Sequence, residues 1–196
     1  MKKFAKAVRI ATLAPIMAFV LITMCFFLKP GSFDALQYIL AIIFLTVLPM
    51  LGYPLQPHVP HFKDKGREGQ RNLAMVMAVV GYVIGIIVAL ATGTGGILLI
   101  IYLTYLFSGL LLMLFNKVFK IRASGHAGGV AGPLGLLILL FGPPALWGLI
   151  VLGLMCWASL VLKRHTVSQL IIGSIIPLAA LVIAVLICGG FSVIMG

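Results

Sequence analysis

Long apolar runs separated by a few short basic segments dominate this chain, and that pattern constrains its fold more than any other feature. The N-terminal tail carries Lys2, Lys3, Lys6 and Arg9. Three polar islands follow. The first, His58 to Arg71, carries His58, His61, Lys63, Lys65, Arg67 and Arg71. The second, Lys117 to His126, carries Lys117, Lys120, Arg122 and His126, and the third is Lys163-Arg164-His165. Inside a bilayer every backbone amide must bond within the protein, so such runs cross as helices or close into a barrel. The runs lack the alternation of barrel strands. The expected fold is all-α, a polytopic transmembrane helical bundle.

Composition narrows the function classes. The chain is 63% hydrophobic and 9% charged, against a charged fraction of about a quarter in soluble domains. A second, water-soluble domain has no room, and residues 1–196 are expected to form one integral membrane domain. The formal charge is +11, but the basic residues flank apolar spans. Nucleic acid is therefore not the expected partner, whereas the anionic headgroups of membrane lipids are. Cys25, Cys156 and Cys188 fall within apolar runs, without metal-ligand spacing. No metal and no cofactor are expected.

The expected spans are Val8–Leu28, Ala35–Leu55, Asn72–Ala91, Gly95–Asn116, Ala127–Phe141, Ala145–Leu162 and Val167–Ile194. The first has the basic start of a signal peptide. It is long enough to cross, however, and ends in Leu28-Lys29-Pro30 without a small-residue cleavage pattern, so a retained helix is expected. Gly142-Pro143-Pro144 separates the fifth span from the sixth. Were they one broken helix, six spans would remain, and Lys163-Arg164-His165 would lie opposite the other islands. The stretch Ala127 to Leu162 would be about 54 Å long as a single helix, too long for one crossing, which favours about seven. An even number of crossings between islands then brings them to one membrane face. Thirteen of the fourteen Lys and Arg residues lie there, leaving Lys29 on the other side. The positive-inside rule makes that face, with the N-terminus, cytoplasmic. Pro15, Pro49, Pro133 and Pro177 are expected to mark kinks, and Gly81/Gly85 and Gly128/Gly132 close helix packing.

Two segments carry candidate chemistry. In Ala123-Ser124-Gly125-His126, small residues open a helix whose N-terminus favours an anion, and His126 stands in the first turn as a proton donor. In Lys163-Arg164-His165-Thr166-Val167-Ser168-Gln169, His165 is expected to open the last helix. Gln169, four residues on, can then accept from one imidazole nitrogen and leave the other free as a nucleophile. Taken alone, a Lys-Arg-His cluster at a helix end also fits an interfacial anchor.

Together these segments resemble the type 2 phosphatidic acid phosphatase family of membrane phosphatases. Its second motif, Ser-Gly-His, matches Ser124-Gly125-His126. Its third reads Ser-Arg, five residues, His, three residues, Asp, and matches at His165. Gln169 stands in place of the Asp, and Ala158-Ser159 in place of Ser-Arg. The first motif, a Lys followed by an Arg, falls between Lys63 and Arg71. Arg71 takes the Arg position and Lys63 or Lys65 the Lys position. The resemblance covers residues 63–173.

It implies a phosphohistidine mechanism on a lipid phosphate or isoprenoid (di)phosphate. His165 would be the nucleophile, His126 the general acid and Gln169 the group that orients His165. Arg71, Lys63, Lys65, Ser124, Gly125 and Arg164 would hold the phosphoryl oxygens. The alternatives are an inactive relative that binds or moves anionic lipid, and a small transporter or assembly subunit. The spans lack internal acidic residues, which weighs against proton coupling.

Overall fold

The computed structural model describes residues 1–93 and 96–189, which form helices and short connections with no strand among them. The helices are α1 (Lys2–Ala11), α2 (Ala14–Leu28), α3 (Ala35–His58), α4 (Lys63–Ala91), α5 (Ile97–Val118), α6 (Gly125–Phe141), α7 (Pro143–Val161) and α8 (Val167–Ile187). Helices α3, α4, α5, α7 and α8 are long and apolar enough to cross a membrane. Helices α1 and α2 form a sixth candidate, bent by 51°. Helix α6 is apolar but has 17 residues. The connection between the expected spans Asn72–Ala91 and Gly95–Asn116 falls partly on residues 94 and 95, and the expected last helix runs past 189; residues 94, 95 and 190–196 lie outside the described residues.

Local chemistry explains the interruptions. Helix α1 ends where Thr12 turns its hydroxyl and its amide onto the carbonyl of Val8. Pro15, which has no amide hydrogen to give, then stands in the first turn of α2. The first expected span is therefore two helices. Asp34 and Gln37 close a capping box at the start of α3, each side chain bonded to the other's amide at 2.8 Å. Helix α3 widens into a π turn over Ile43–Val47 before Pro49, where a regular helix would press the proline ring on the carbonyl four residues back. The Thr46 hydroxyl, on that turn, donates to the carbonyl of Pro15 at 3.1 Å and ties α3 to α2. Gly142, in the left-handed region at φ 71°, ends α6, and Pro143 begins α7. Helices α6 and α8 run through Pro133 and Pro177.

Helix α8 packs on α5 and α6, α4 on α3 and α5, α2 on α6, and α1 on α7. The main core joins Leu21, Ile22, Leu45, Ile100, Tyr102 and Ala184. The outer surface is apolar too. On α8, Ile171, Ile175, Leu178, Val182 and Leu186 form an exposed stripe at helical spacing. A surface of that kind suits hydrocarbon rather than water.

Candidate functional site

The site begins with how Ser124-Gly125-His126 is held. The Asn116 side chain accepts from the amide of Ala123 at 2.9 Å and donates to its carbonyl at 3.3 Å, fixing the end of the α5–α6 loop. Ser124 is fully buried, and its hydroxyl caps α6 by accepting from the amide of Ala127 at 3.2 Å. The Ser124 amide donates to the carbonyl of Gln169 at 2.9 Å, and one turn further along α8 its backbone lies against Gly173. A methyl group at Gly173 would overlap the Ser124 carbonyl. The motif at the start of α6 is thus seated directly on the first turns of α8.

His165 stands just before α8 rather than opening it. Thr166 is the N-cap, and Thr166 with Gln169 forms a capping box. Even so, His165 Nδ1 lies 3.1 Å from Gln169 Oε1. That oxygen can only accept, so Nδ1 carries the hydrogen and the neutral ring keeps a free lone pair on Nε2. Gln169 does two jobs with one oxygen, accepting also from the Thr166 amide at 3.4 Å.

His126 Nε2 lies 3.1 Å from the hydroxyl of Thr12. The Thr12 hydrogen goes to the carbonyl of Val8, so Thr12 accepts and His126 Nε2 donates. Neighbouring Ala14 rests on Gly129, where a side chain would force α2 away from α6. The bend after Thr12 also places Arg9, whose Nη1 donates to the hydroxyl of Ser159 at 2.6 Å. Ser159 is fully buried on α7.

The two histidines share one charged neighbourhood. Arg9 and His165 both act electrostatically on His126, while Arg9, Arg71 and Arg164 all act on His165. Burial pushes the His165 imidazole below its ordinary range. The bond to Gln169 opposes that shift, and the three arginines reinforce it. The neutral form, with Nε2 available, is therefore favoured around neutral pH.

Of the residues expected from sequence, His126, His165, Gln169, Ser124 and Arg71 gather at one end of the bundle. Gly125 is the first residue of α6 and is exposed, with open space on the side where a Cβ would project. Arg164 is positioned by a turn, not by a continuing helix. Lys163 adopts φ 52°, and the Arg164 amide bonds to the carbonyl of Ser159. Lys63 and Lys65 are exposed and are not among the charges acting on either histidine. Lys65 instead lies 3.4 Å from His61 Nε2 and over the Phe62 ring. Gln56, buried, bonds the carbonyls of Phe62 and Lys63 and shapes the loop before α4. Among the described residues no three His, Cys, Asp or Glu side chains form a metal-ligand cluster.

Sequence reasoning missed Arg9 and Thr12. Treating Val8–Leu28 as one span made Arg9 a topology signal, although Pro15 was the mark of a break that folds the tail inward.

A separate apolar groove of about 280 Å³ is lined by none of these site residues. It runs between α7 and α8 and is lined by Cys156, Leu160, Val167, Leu170, Ile171 and Ile175, with Ser174. Comparison of the chain with models of known protein families, with curated proteins and with solved structures found no match.

Proposed function

We propose that this protein is a multi-pass membrane phosphatase of the type 2 phosphatidic acid phosphatase kind. It would act on a lipid phosphate or isoprenoid (di)phosphate through a phosphohistidine intermediate. The observation that carries the reading is the seating of the Ser124-Gly125-His126 motif on α8: the Ser124 amide bonds to the carbonyl of Gln169, whose side chain holds His165, so motifs 39 positions apart meet.

The chemistry follows from the tautomers. Nε2 of His165 attacks phosphorus, forming a P–N bond as the P–O bond to the leaving group breaks. His126, as imidazolium, gives its proton to the departing oxygen. A bound phosphate dianion favours that protonated form by opposite charge. Water then attacks the phosphohistidine and gives a proton to His126, and phosphate leaves with His165 restored. The arginines stabilise charge spread over the equatorial oxygens.

The groove supports a lipid substrate. Leu160 follows Ser159, Val167 comes two residues after His165, and Leu170 follows Gln169. A headgroup at the histidines would thus leave its tail lying along α8 for about 12 Å, from Val167 to Ile175.

In this reading the 17-residue α6 is a crossing of about 25 Å, short for a bilayer and shielded by α2, α5 and α8. Counting it and the bent α1–α2 pair gives seven spans, a basic face in the cytoplasm and a core over residues 63–173 to which the tail contributes.

One observation favours a second reading, an inactive relative that binds lipid phosphate. Ser159 and Gln169 stand where the family motif has Arg and Asp, and a neutral Gln169 orients an imidazole without stabilising its cation. Phosphate release from a panel of lipid phosphates in mixed micelles separates the two. Turnover by the parent that disappears in His165→Ala supports the enzyme. Phosphate binding without turnover supports the binder.

A further inference from the structure

We propose that Arg9, from the N-terminal helix α1, is a phosphate-binding residue of this site and supplies from outside the motifs the guanidinium that α7 lacks. The inference rests on the phosphatase reading above.

Three observations carry it. First, the Arg9 guanidinium reaches Ser159 Oγ at 2.6 Å, so it occupies the space beside the one motif position where an arginine is missing. Second, Arg9 is the arginine whose charge acts on both histidines, whereas Arg71 and Arg164 act on His165. A cation within electrostatic reach of both rings is near enough to act on an anion held between them. Third, no acidic group among the described residues acts on Arg9 to hold it there. The Ser159 hydroxyl takes one of its five donor hydrogens, and Ser159 in turn faces Met155 Sδ at 3.5 Å. A guanidinium brought half into the protein against a neutral hydroxyl keeps donors for an oxyanion, and a planar fork suits phosphate better than an ammonium does.

The path from sequence to this placement is short. Helix α1 presents Lys2, Lys3, Lys6 and Arg9, packs on α7, and sets the Phe4 ring tilted against Trp157 with centroids 5.9 Å apart. The break at Thr12 and Pro15 turns α1 by 51° from α2. The tail thereby becomes part of the site, which extends the core beyond residues 63–173.

The test uses the full chain in detergent and follows two signals, inorganic phosphate binding and lipid-phosphate turnover in mixed micelles. Arg9→Ala should weaken phosphate binding about 10- to 100-fold, the range for a lost charge-assisted hydrogen bond. Arg9→Lys, which keeps the charge and the helix contact, should retain part of it and serves if Arg9→Ala fails to fold. Ser159→Arg alone should lower thermal stability, since two guanidinium groups would compete for one space. The double variant Arg9→Ala/Ser159→Arg should recover binding and turnover above Arg9→Ala, a rescue that a merely structural role of Arg9 would not give. If folded Arg9→Ala binds phosphate as the parent does while His165→Ala abolishes turnover, the Arg9 assignment is wrong and the phosphatase reading stands. If the parent neither binds phosphate nor releases it from lipid phosphates, both fall.

Discussion

Replacing Gly173 by alanine should dislocate the site without touching a reacting group. The added methyl would overlap the Ser124 carbonyl and lie 2.8 Å from the Ser124 amide nitrogen and 3.0 Å from its carbonyl carbon. These are backbone atoms in a capped, fully buried residue, so no flexible side chain can yield. The start of α6 must retreat by about 1 Å to reach an ordinary contact distance. Overpacking of this kind costs about 1–3 kcal/mol. Retreat also stretches the 2.9 Å bond from the Ser124 amide to the Gln169 carbonyl, and an unmade buried bond costs about 1–3 kcal/mol more. A loss of about 2–6 kcal/mol is expected. Thermal unfolding can be followed by thiol labelling, because Cys25 is buried and Cys156 and Cys188 are half-buried. Gly153→Ala is the matched control, since its methyl would meet open space on a helix, and it should be neutral or stabilising by up to about 1 kcal/mol. A displacement of about 1 Å between His126 and His165 should also lower turnover about 100-fold. If Gly173→Ala is as stable as Gly153→Ala, the close seating of Ser124 on α8 is wrong.

Other predictions follow from charge and orientation. Because burial and the arginines lower the His165 pKa, the nucleophile is neutral above that pKa and is lost as pH falls through it. The acid limb of kcat/KM, corrected for substrate ionisation, should therefore lie below about 6.5, the ordinary histidine value. Gln169→Glu places a carboxylate 3.1 Å from Nδ1 and should move that limb up by roughly 1–3 pH units; an unmoved limb would mean that His165 does not govern it. Lys63→Cys and Lys120→Cys, both at exposed positions, should react with an impermeant thiol reagent only from the cytoplasmic side, and labelling from outside would reverse the orientation.

The helices were legible in the sequence because apolar run length acts locally, and of the polar islands His126, His165, Arg164 and Arg71 do share one neighbourhood while Lys63 and Lys65 stand apart. Gly142-Pro143 separates α6 from α7 as expected, and the glycine pairs do lie at contacts, Gly81 against Phe44, Gly85 against Tyr102, Gly128 against Gly173 and Gly132 against Pro177. The bend at Thr12 was harder to see. Proline early in an apolar run marks either a kink or a fresh helix start, and what decides here is Ala14 settling on Gly129, a contact between residues 115 positions apart. Arg9 went unrecognised for the same reason, since its partner Ser159 lies on a distant helix. Helix α8 begins at Val167, the expected start of the last span, but His165 precedes its Thr166 cap rather than opening the helix, as the capping-box spacing of Thr166-Val167-Ser168-Gln169 already marks.

The central claim is that His165 carries the phosphoryl group and His126 moves the protons. It is tested most directly by trapping the intermediate. The protein is mixed with a ³²P-labelled aryl phosphate, whose leaving group needs little acid assistance, then quenched in alkali, where phosphohistidine survives and phosphoserine esters do not. The parent should show transient label, and mass spectrometry should locate it on His165. His126→Ala should accumulate more label, because water attack on the intermediate loses its base. His165→Ala should show none. Label persisting in His165→Ala, or absent from every variant while phosphate is still released, would contradict the account.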